Sequence, residues 1–163
     1  MTQLSGTAAG MSPRDLIADH CFVRSLSADF IDRIVAHSQV VTYPAGAVLF
    51  RQGAPADEFH LIAEGRVAVE MNSPGRGVQV VDMVEACETV GWSWLVPPHR
   101  WFFDARAVTD VSAVTVDAAA LRELCEADPA FGYALLQQVA SVMLERMQAA
   151  RVRLADVYGV EAP

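Results

Sequence analysis

The hydrophobic positions are spaced as in a helix over the first ordered stretch, Pro13 to His37. Ser27 stands there as an N-cap with Asp29 in the first turn, and Leu26 and Ile31 occupy the two positions of a hydrophobic staple. Two short helices fit this span. After Val40 the period changes to two, and short β-rich runs are separated by Gly, Pro and Asn. Val48 and Phe50 alternate with Leu49 and Arg51. Phe59, Leu61 and Ala63 alternate with His60, Ile62 and Glu64, and Val67, Val69 and Met71 with Arg66, Ala68 and Glu70. Each run is expected to bury one face. A loop at Asn72–Gly77 precedes a strand from Val78 to Val84, and a last pair lies around Asp110 between Phe103 and Val116. About eight strands without helical crossovers predict antiparallel sheets in a sandwich or barrel.

The chain closes with helix. Ala118 to Ala127 is short, Asp128-Pro129 starts another, and no proline interrupts Phe131 to Tyr158 before Gly159 offers a stop. Along this long helix Leu136, Ala140, Met143, Met147, Ala150, Leu154 and Val157 recur at spacings of four and three, the seam of a coiled coil. A second stripe, Leu135, Val139 and Val142, is confined to the first half. One stripe can pack on the β-domain while the seam meets a second copy; in the alternative, both cover the parent domain. The expected organisation is a loose arm at residues 1–12, a β-domain with flanking helices at 13–130, the long helix at 131–158 and a tail at 159–163.

Composition narrows the function. The 163 residues suffice for one core, and a net charge of -8 leaves no positive field to hold a phosphate polymer, which argues against nucleic-acid binding. No apolar run approaches the roughly 20 residues of a membrane span, and no leader pattern opens the chain. Cys21, Cys87 and Cys125 are far apart and odd in number, so reduced, structural thiols and a cytoplasmic location are expected.

The order of elements, with the strings Tyr43-Pro44-Ala45-Gly46-Ala47-Val48-Leu49-Phe50-Arg51-Gln52-Gly53 and Ala56 to Val69, resembles the cyclic nucleotide-binding domain family. Its members include the catabolite activator class of bacterial regulators and protein kinase A regulatory subunits. Gly46, Gly53 and Gly65 fall where that family turns its hairpins, and the resemblance runs from about Cys21 to Gly159. It implies a jelly-roll-like antiparallel β-roll with N-terminal helices and a long C-terminal helix. It also implies a phosphate-binding cassette, opened by Gly-Glu and closed about ten residues later by an Arg, whose ligand is cyclic AMP or another cyclic nucleotide.

The matching string is Val90-Gly91-Trp92-Ser93-Trp94-Leu95, continuing through Pro97-Pro98-His99-Arg100-Trp101 to Ala107, and it looks like a variant cassette of small bacterial members. Gly91, Leu95 and Ala107 match the family, but Trp92 stands at the ribose Glu and Trp101 at the phosphate Arg. An indole donates only one hydrogen bond and carries no charge, so neither usual contact can form. A phosphate then needs Arg100 or Arg106 turned inward, with backbone at Gly91 to Ser93; in a regular strand Arg100 would point away from the face of Trp101. Ala150 and Arg151 fall where family members of the activator class present hydroxyl residues to the base, and the expectation is of a domain without a DNA-reading partner after them.

Catalytic constellations are not evident. His20, His37, His60 and His99 read as surface or capping residues, and Asp104 with Arg106 reads as an internal ion pair. Gly-Trp-Ser-Trp-Leu lacks the second glycine of a hydrolase elbow. The sequence thus predicts a non-catalytic regulatory module with cassette candidates Gly91, Trp92, Ser93, Arg100, Trp101, Arg106 and Arg151. It acts either as a ligand sensor signalling through its last helix, or as a tryptophan-filled adaptor within a larger complex. Homodimerisation through the seam and docking onto a different protein are both open.

Overall fold

The computed structural model describes residues 10–159. Most of the arm expected before Pro13 and the tail after Gly159 lie outside the described residues. Two short helices open the fold, α1 (Pro13–Ala18) and α2 (Ala28–Ala36). Ser12 and Asp15 close a capping box around Pro13, and the Ser27 hydroxyl accepts from the Phe30 amide. Leu26 and Ile31 then pack on the core, as a staple should.

Eight strands follow: β1 (Ser38–Tyr43), β2 (Val48–Phe50), β3 (Glu58–Glu64), β4 (Val67–Ser73), β5 (Gly77–Val84), β6 (Thr89–Val90), β7 (Asp104–Ala107) and β8 (Val111–Asp117). They form two four-stranded sheets in the orders β1-β8-β3-β6 and β2-β7-β4-β5, with every pair antiparallel. One turn shows why glycine is needed. Gly65, between β3 and β4, has φ +90° and a Cβ there would collide with the Asp110 carbonyl oxygen.

The core has two parts, and β3 divides them. Phe59 and Leu61 face the helices beside Phe22, Ile34, Leu121 and Phe131, whereas Ile62 faces Val67, Val84 and Ala113 between the sheets. Each face of this strand has a cover, so the expectation that it buries a single face is corrected: Phe59 to Ile62 are buried without a break. The reading of the histidines changes with it, since His20 and His60 are both buried.

Two helices complete the chain, α3 (Ala118–Ala127), capped by Asp117, and α4 (Pro129–Tyr158). Asp128 caps α4 by accepting from the Ala130 and Phe131 amides, with Pro129 in the first turn, and its carboxylate also takes the Arg33 guanidinium at 2.7 Å. Phe131, Leu135 and Val139 bury one stripe of the first half, while Leu136, Met143, Met147, Leu154 and Val157 of the seam stay exposed. The described chain itself leaves the seam open.

Two polar expectations are corrected. Asp104 and Arg106 do not pair with each other: Arg106 meets Glu70 at 3.2 Å, and Asp104 accepts from the Gln52 amide and approaches Arg51 at 3.7 Å. Alternate residues share a strand face, but each finds its opposite charge across the sheet or in the adjoining loop. Cys21 and Cys87 are not free thiols; they form a disulfide, and Cys125 alone is unpaired. The bond ties the segment after α1 to the loop before β6 across a sequence separation of 66. A cross-link closing so long a loop contributes about 2 to 4 kcal/mol. Reduction, or Cys87→Ser, should therefore lower the thermal midpoint by about 5 to 15 °C, read by circular dichroism with and without reductant.

Candidate functional site

The cassette is anchored by burial and by one arginine. After β6, Gly91 takes φ +86° and the chain makes a single 3-10 turn, Trp92–Trp94. The Trp94 indole is fully buried against Phe59, and the Trp94 carbonyl accepts from Arg122 of α3 at 2.9 Å. This fixes the turn to the helical side of the core, against which Trp92 also packs. Trp94, one of five aromatic residues clustered in the sequence here, is therefore core.

The returning segment sets the direction of Arg100 and Trp101. The Gly53 amide donates to the Trp101 carbonyl and the Trp101 amide to the Ala54 carbonyl, while Pro55 and Arg100 form an isolated antiparallel bridge. In this extended pairing successive side chains point to opposite faces. Trp101 goes inward and stacks on Phe50 with ring centroids 3.9 Å apart. Arg100 goes outward and donates to the Gly53 carbonyl at 2.7 Å. The close packing explains Gly91: a Cβ there would meet the Trp101 ring at 2.7 Å.

Behind the stack lies His60, with ring centroids 5.6 Å from Phe50 and 6.4 Å from Trp101. Burial holds its pKa down to about 4, so the ring is neutral and its 3.5 Å approach to the Glu58 carboxylate is no ion pair. Burial also raises Glu58, and burial lifts the Tyr43 hydroxyl to about 12, where Tyr43 lies 3.4 Å from His60 Nε2. No cation thus stands beneath the cassette.

Between this floor and α4 a cavity of about 260 Å³ remains. Phe50, Trp101, Val69 and Val90 make its apolar base, Gly91, Trp92 and Ser93 one wall, and Val81, Phe102 and Phe103 its mouth. The opposite wall is Arg146, Ala150 and Arg153 of α4. Of the residues singled out in the sequence, the structure brings Gly91, Trp92, Ser93, Trp101 and Ala150 to this space. It does not bring Arg100, Arg106 or Arg151. Arg106 is held by Glu70 and by the Gly46 carbonyl, and Arg151 is exposed one position beyond the helix face of Ala150.

The cations at the cavity are Arg146 and Arg153 of α4, neither of which the sequence singled out. Arg146 donates to Asp82 Oδ2 at 3.1 Å and to the Thr89 carbonyl at 2.7 Å, and its guanidinium lies 4.7 Å over the Trp92 ring. Arg153 approaches the same Asp82 at 3.6 Å. The signal was present as a stripe, since 146, 150 and 153 are spaced by four and three. It was obscured by the seam, which shares Ala150. A wider groove of about 700 Å³ flanks Arg146 on its other side, toward the Cys21–Cys87 disulfide. Among the described residues no group of His, Cys, Asp or Glu could hold a metal ion, and no helix is long and apolar enough to cross a membrane.

A β-roll closed by a long helix, with a glycine-led 3-10 turn facing that helix across a cavity, is the architecture of the cyclic nucleotide-binding fold. The chain belongs to the cyclic nucleotide-binding domain family, whose model matches residues 40–128. A candidate cyclic nucleotide-binding protein from Geobacter metallireducens is 31% identical, with a TM-score of 0.75 over 84% of this chain and 98% of its own. A cyclic nucleotide-binding domain from Methylobacillus flagellatus shares the fold, with a TM-score of 0.78, at 18% identity over 92% of this chain and 85% of its own. Among curated proteins, a CRP-like cAMP-activated global transcriptional regulator of Mycobacterium tuberculosis is 23% identical over 91% of this chain, which spans 65% of that regulator's length.

The buried His60 makes the floor acid-sensitive. Its pKa in the folded protein lies below the ordinary 6.5, so the stability it carries is complete above about pH 6.5 and is lost as pH falls toward about 4. The loss should reach the order of 3 kcal/mol in urea unfolding between these limits. His60→Gln, which does not titrate there, should flatten the profile; an unchanged profile would assign the sensitivity to other groups, such as the buried His20.

Proposed function

We propose that this domain is a non-catalytic regulatory module that takes a small anionic ligand of the cyclic nucleotide type in the cavity and signals its occupancy through α4 to a partner protein. The observation that carries the reading is the position of Ala150, which lines the cavity and also lies on the exposed seam. An occupant touching this wall bears on the face that a second chain would cover. The coiled-coil spacing favours another copy of this chain as that partner, with a larger protein complex as the alternative. A ligand acts on the helix only as far as it binds one helix position better than another.

A second reading rests on Trp101, which fills the place of the phosphate arginine and leaves the cassette side without a cation. A domain closed in this way is an adaptor that uses α4 or the aromatic mouth, Phe102 and Phe103, to hold a larger protein. Thermal unfolding with about 1 mM cyclic AMP, cyclic GMP or 5′-AMP separates the two readings. A ligand at about a hundred times its dissociation constant adds about 2.7 kcal/mol, so a cyclic nucleotide that binds should raise the midpoint by roughly 5 to 10 °C. No shift with any of the three would favour the adaptor.

The seam gives an independent expectation. Met143→Asp with Met147→Asp places carboxylates in the middle of the exposed stripe and should reduce self-association by about tenfold or more in sedimentation equilibrium, leaving the fold intact. An unchanged association constant would exclude the seam as the contact between copies.

A further inference from the structure

The distribution of charge around the cavity points to a particular way of holding a ligand. The base offers only aromatic and aliphatic side chains, and the wall at Gly91 to Ser93 contributes no charged group. Arg100 and Arg106 spend their donors on Gly53, Gly46 and Glu70. Among the described residues, positive charge at the cavity comes from α4 alone, as Arg146 and Arg153. One carboxylate, Asp82 of β5, faces both, which leaves the lining with one positive charge.

The two arginines are not equivalent. Arg146 is committed to Asp82, to the Thr89 carbonyl and to the Trp92 ring, and only 16% of its side chain is exposed. Arg153 makes no hydrogen bond among the described residues; its 3.6 Å approach to Asp82 is an ion pair alone, and 57% of its side chain is exposed. Its donors are available in the wall of the cavity, across from the hydrophobic base.

We infer that the cavity takes a planar-ring monoanion with the ring on the Phe50–Trp101 base and the anionic group turned toward α4, where Arg153, aided by Arg146, holds it in place of Asp82. The inference rests on the reading of this cavity as the ligand site, and it assigns anion recognition to the helix and not to the cassette. The volume of about 260 Å³ suits one fused-ring body and little more. A single negative charge matches the lining, whereas burying a second would leave it uncompensated. Asp82 is the built-in competitor: a ligand anion that reaches Arg153 replaces this carboxylate, so occupancy alters the pairing between β5 and α4.

Two matched fluorescent dyes test the assignment: 6-hydroxynaphthalene-2-sulfonate, a planar fused-ring monoanion, and 2-naphthol, the same ring system without the sulfonate. Fluorescence titration of the intact protein should show the sulfonate bound about tenfold or more tighter than the neutral dye, since one charge-assisted contact is worth that factor. Arg153→Ala should abolish the preference without changing the affinity for the neutral dye, and Arg153→Lys should restore part of it. Arg100→Ala should change neither. Asp82→Asn, which removes the competing carboxylate, should tighten the sulfonate severalfold. Val81→Trp, placed at the mouth, should weaken both dyes; undiminished binding would put them outside the cavity and overturn the inference.

A preference for the sulfonate lost in Arg100→Ala but kept in Arg153→Ala would return anion recognition to the cassette. Equal affinity for the two dyes would remove it altogether, and binding of neither would show that the cavity admits no planar ring. These outcomes are distinct from failure of the cyclic nucleotides to shift the midpoint, because a cavity can hold the anionic dye from α4 and still reject a cyclic phosphate.

Discussion

The stacking of Trp101 on Phe50 is the contact around which the rest of the site is arranged. At 3.9 Å between centroids it occupies the place where the family resemblance puts a phosphate-binding arginine. It requires a residue without Cβ at Gly91, because any side chain there would enter the indole ring. It also roofs His60, whose neutral state follows from having aromatic rings above it and the inter-sheet core around it. A cation at position 101 would face a buried imidazole and an apolar floor with no counter-ion, so the indole and the neutral histidine are mutually consistent. The floor of the cavity is thereby made hydrophobic, and any charge recognition must come from elsewhere.

That other place is α4, whose two halves are held by different forces. Phe131, Leu135 and Val139 anchor the first half by burial, which is insensitive to small changes in the cassette. Beyond Val142 no residue of the helix is buried, and the contacts to the β-roll are polar: Arg146 with Asp82 and Thr89, Arg153 with Asp82, and the guanidinium over Trp92. These interactions are individually small when partly exposed and are readily exchanged for equivalent ones. Arg146 nonetheless links β5, β6 and the cassette to one point of the helix, so the second half follows changes at all three.

Much of this was legible in local sequence because its causes are local. Ser27 as a cap, Asp128-Pro129 as a helix start, Gly65 and Gly91 at positive φ, and the two stripes of the last helix are each decided within a few residues. The outward turn of Arg100 also follows from alternation once Trp101 faces inward. What could not be read depends on partners far along the chain. Alternation in β3 cannot reveal that a second sheet covers His60 and Ile62, and a strand of two residues such as β6 has no period at all. The Cys21–Cys87 pairing spans too much sequence to be inferred from spacing. Arg146 and Asp82 lie far apart in sequence and meet only because β5 runs beneath the helix. Arg106 likewise chose Glu70 on the neighbouring strand over Asp104 on its own.

The combination of an uncharged cassette and a charged helix alters how such a domain can transmit occupancy. Where the ligand's anion is fixed by the β-roll, the helix senses only the far side of the ligand, and the energy of charge neutralisation is released whether or not the helix responds. Where the charge is supplied by the helix, neutralisation requires the helix to be in place, so the strongest single interaction distinguishes one helix position from another. Asp82 sharpens this dependence, since its one carboxylate is shared by both guanidinium groups and a ligand anion must take its place. In the proposed sensor Ala150, between the two arginines and on the seam, leaves only one small residue between an occupant and the surface a partner would cover. On that proposal sensing and output are separated by the thickness of a single helix.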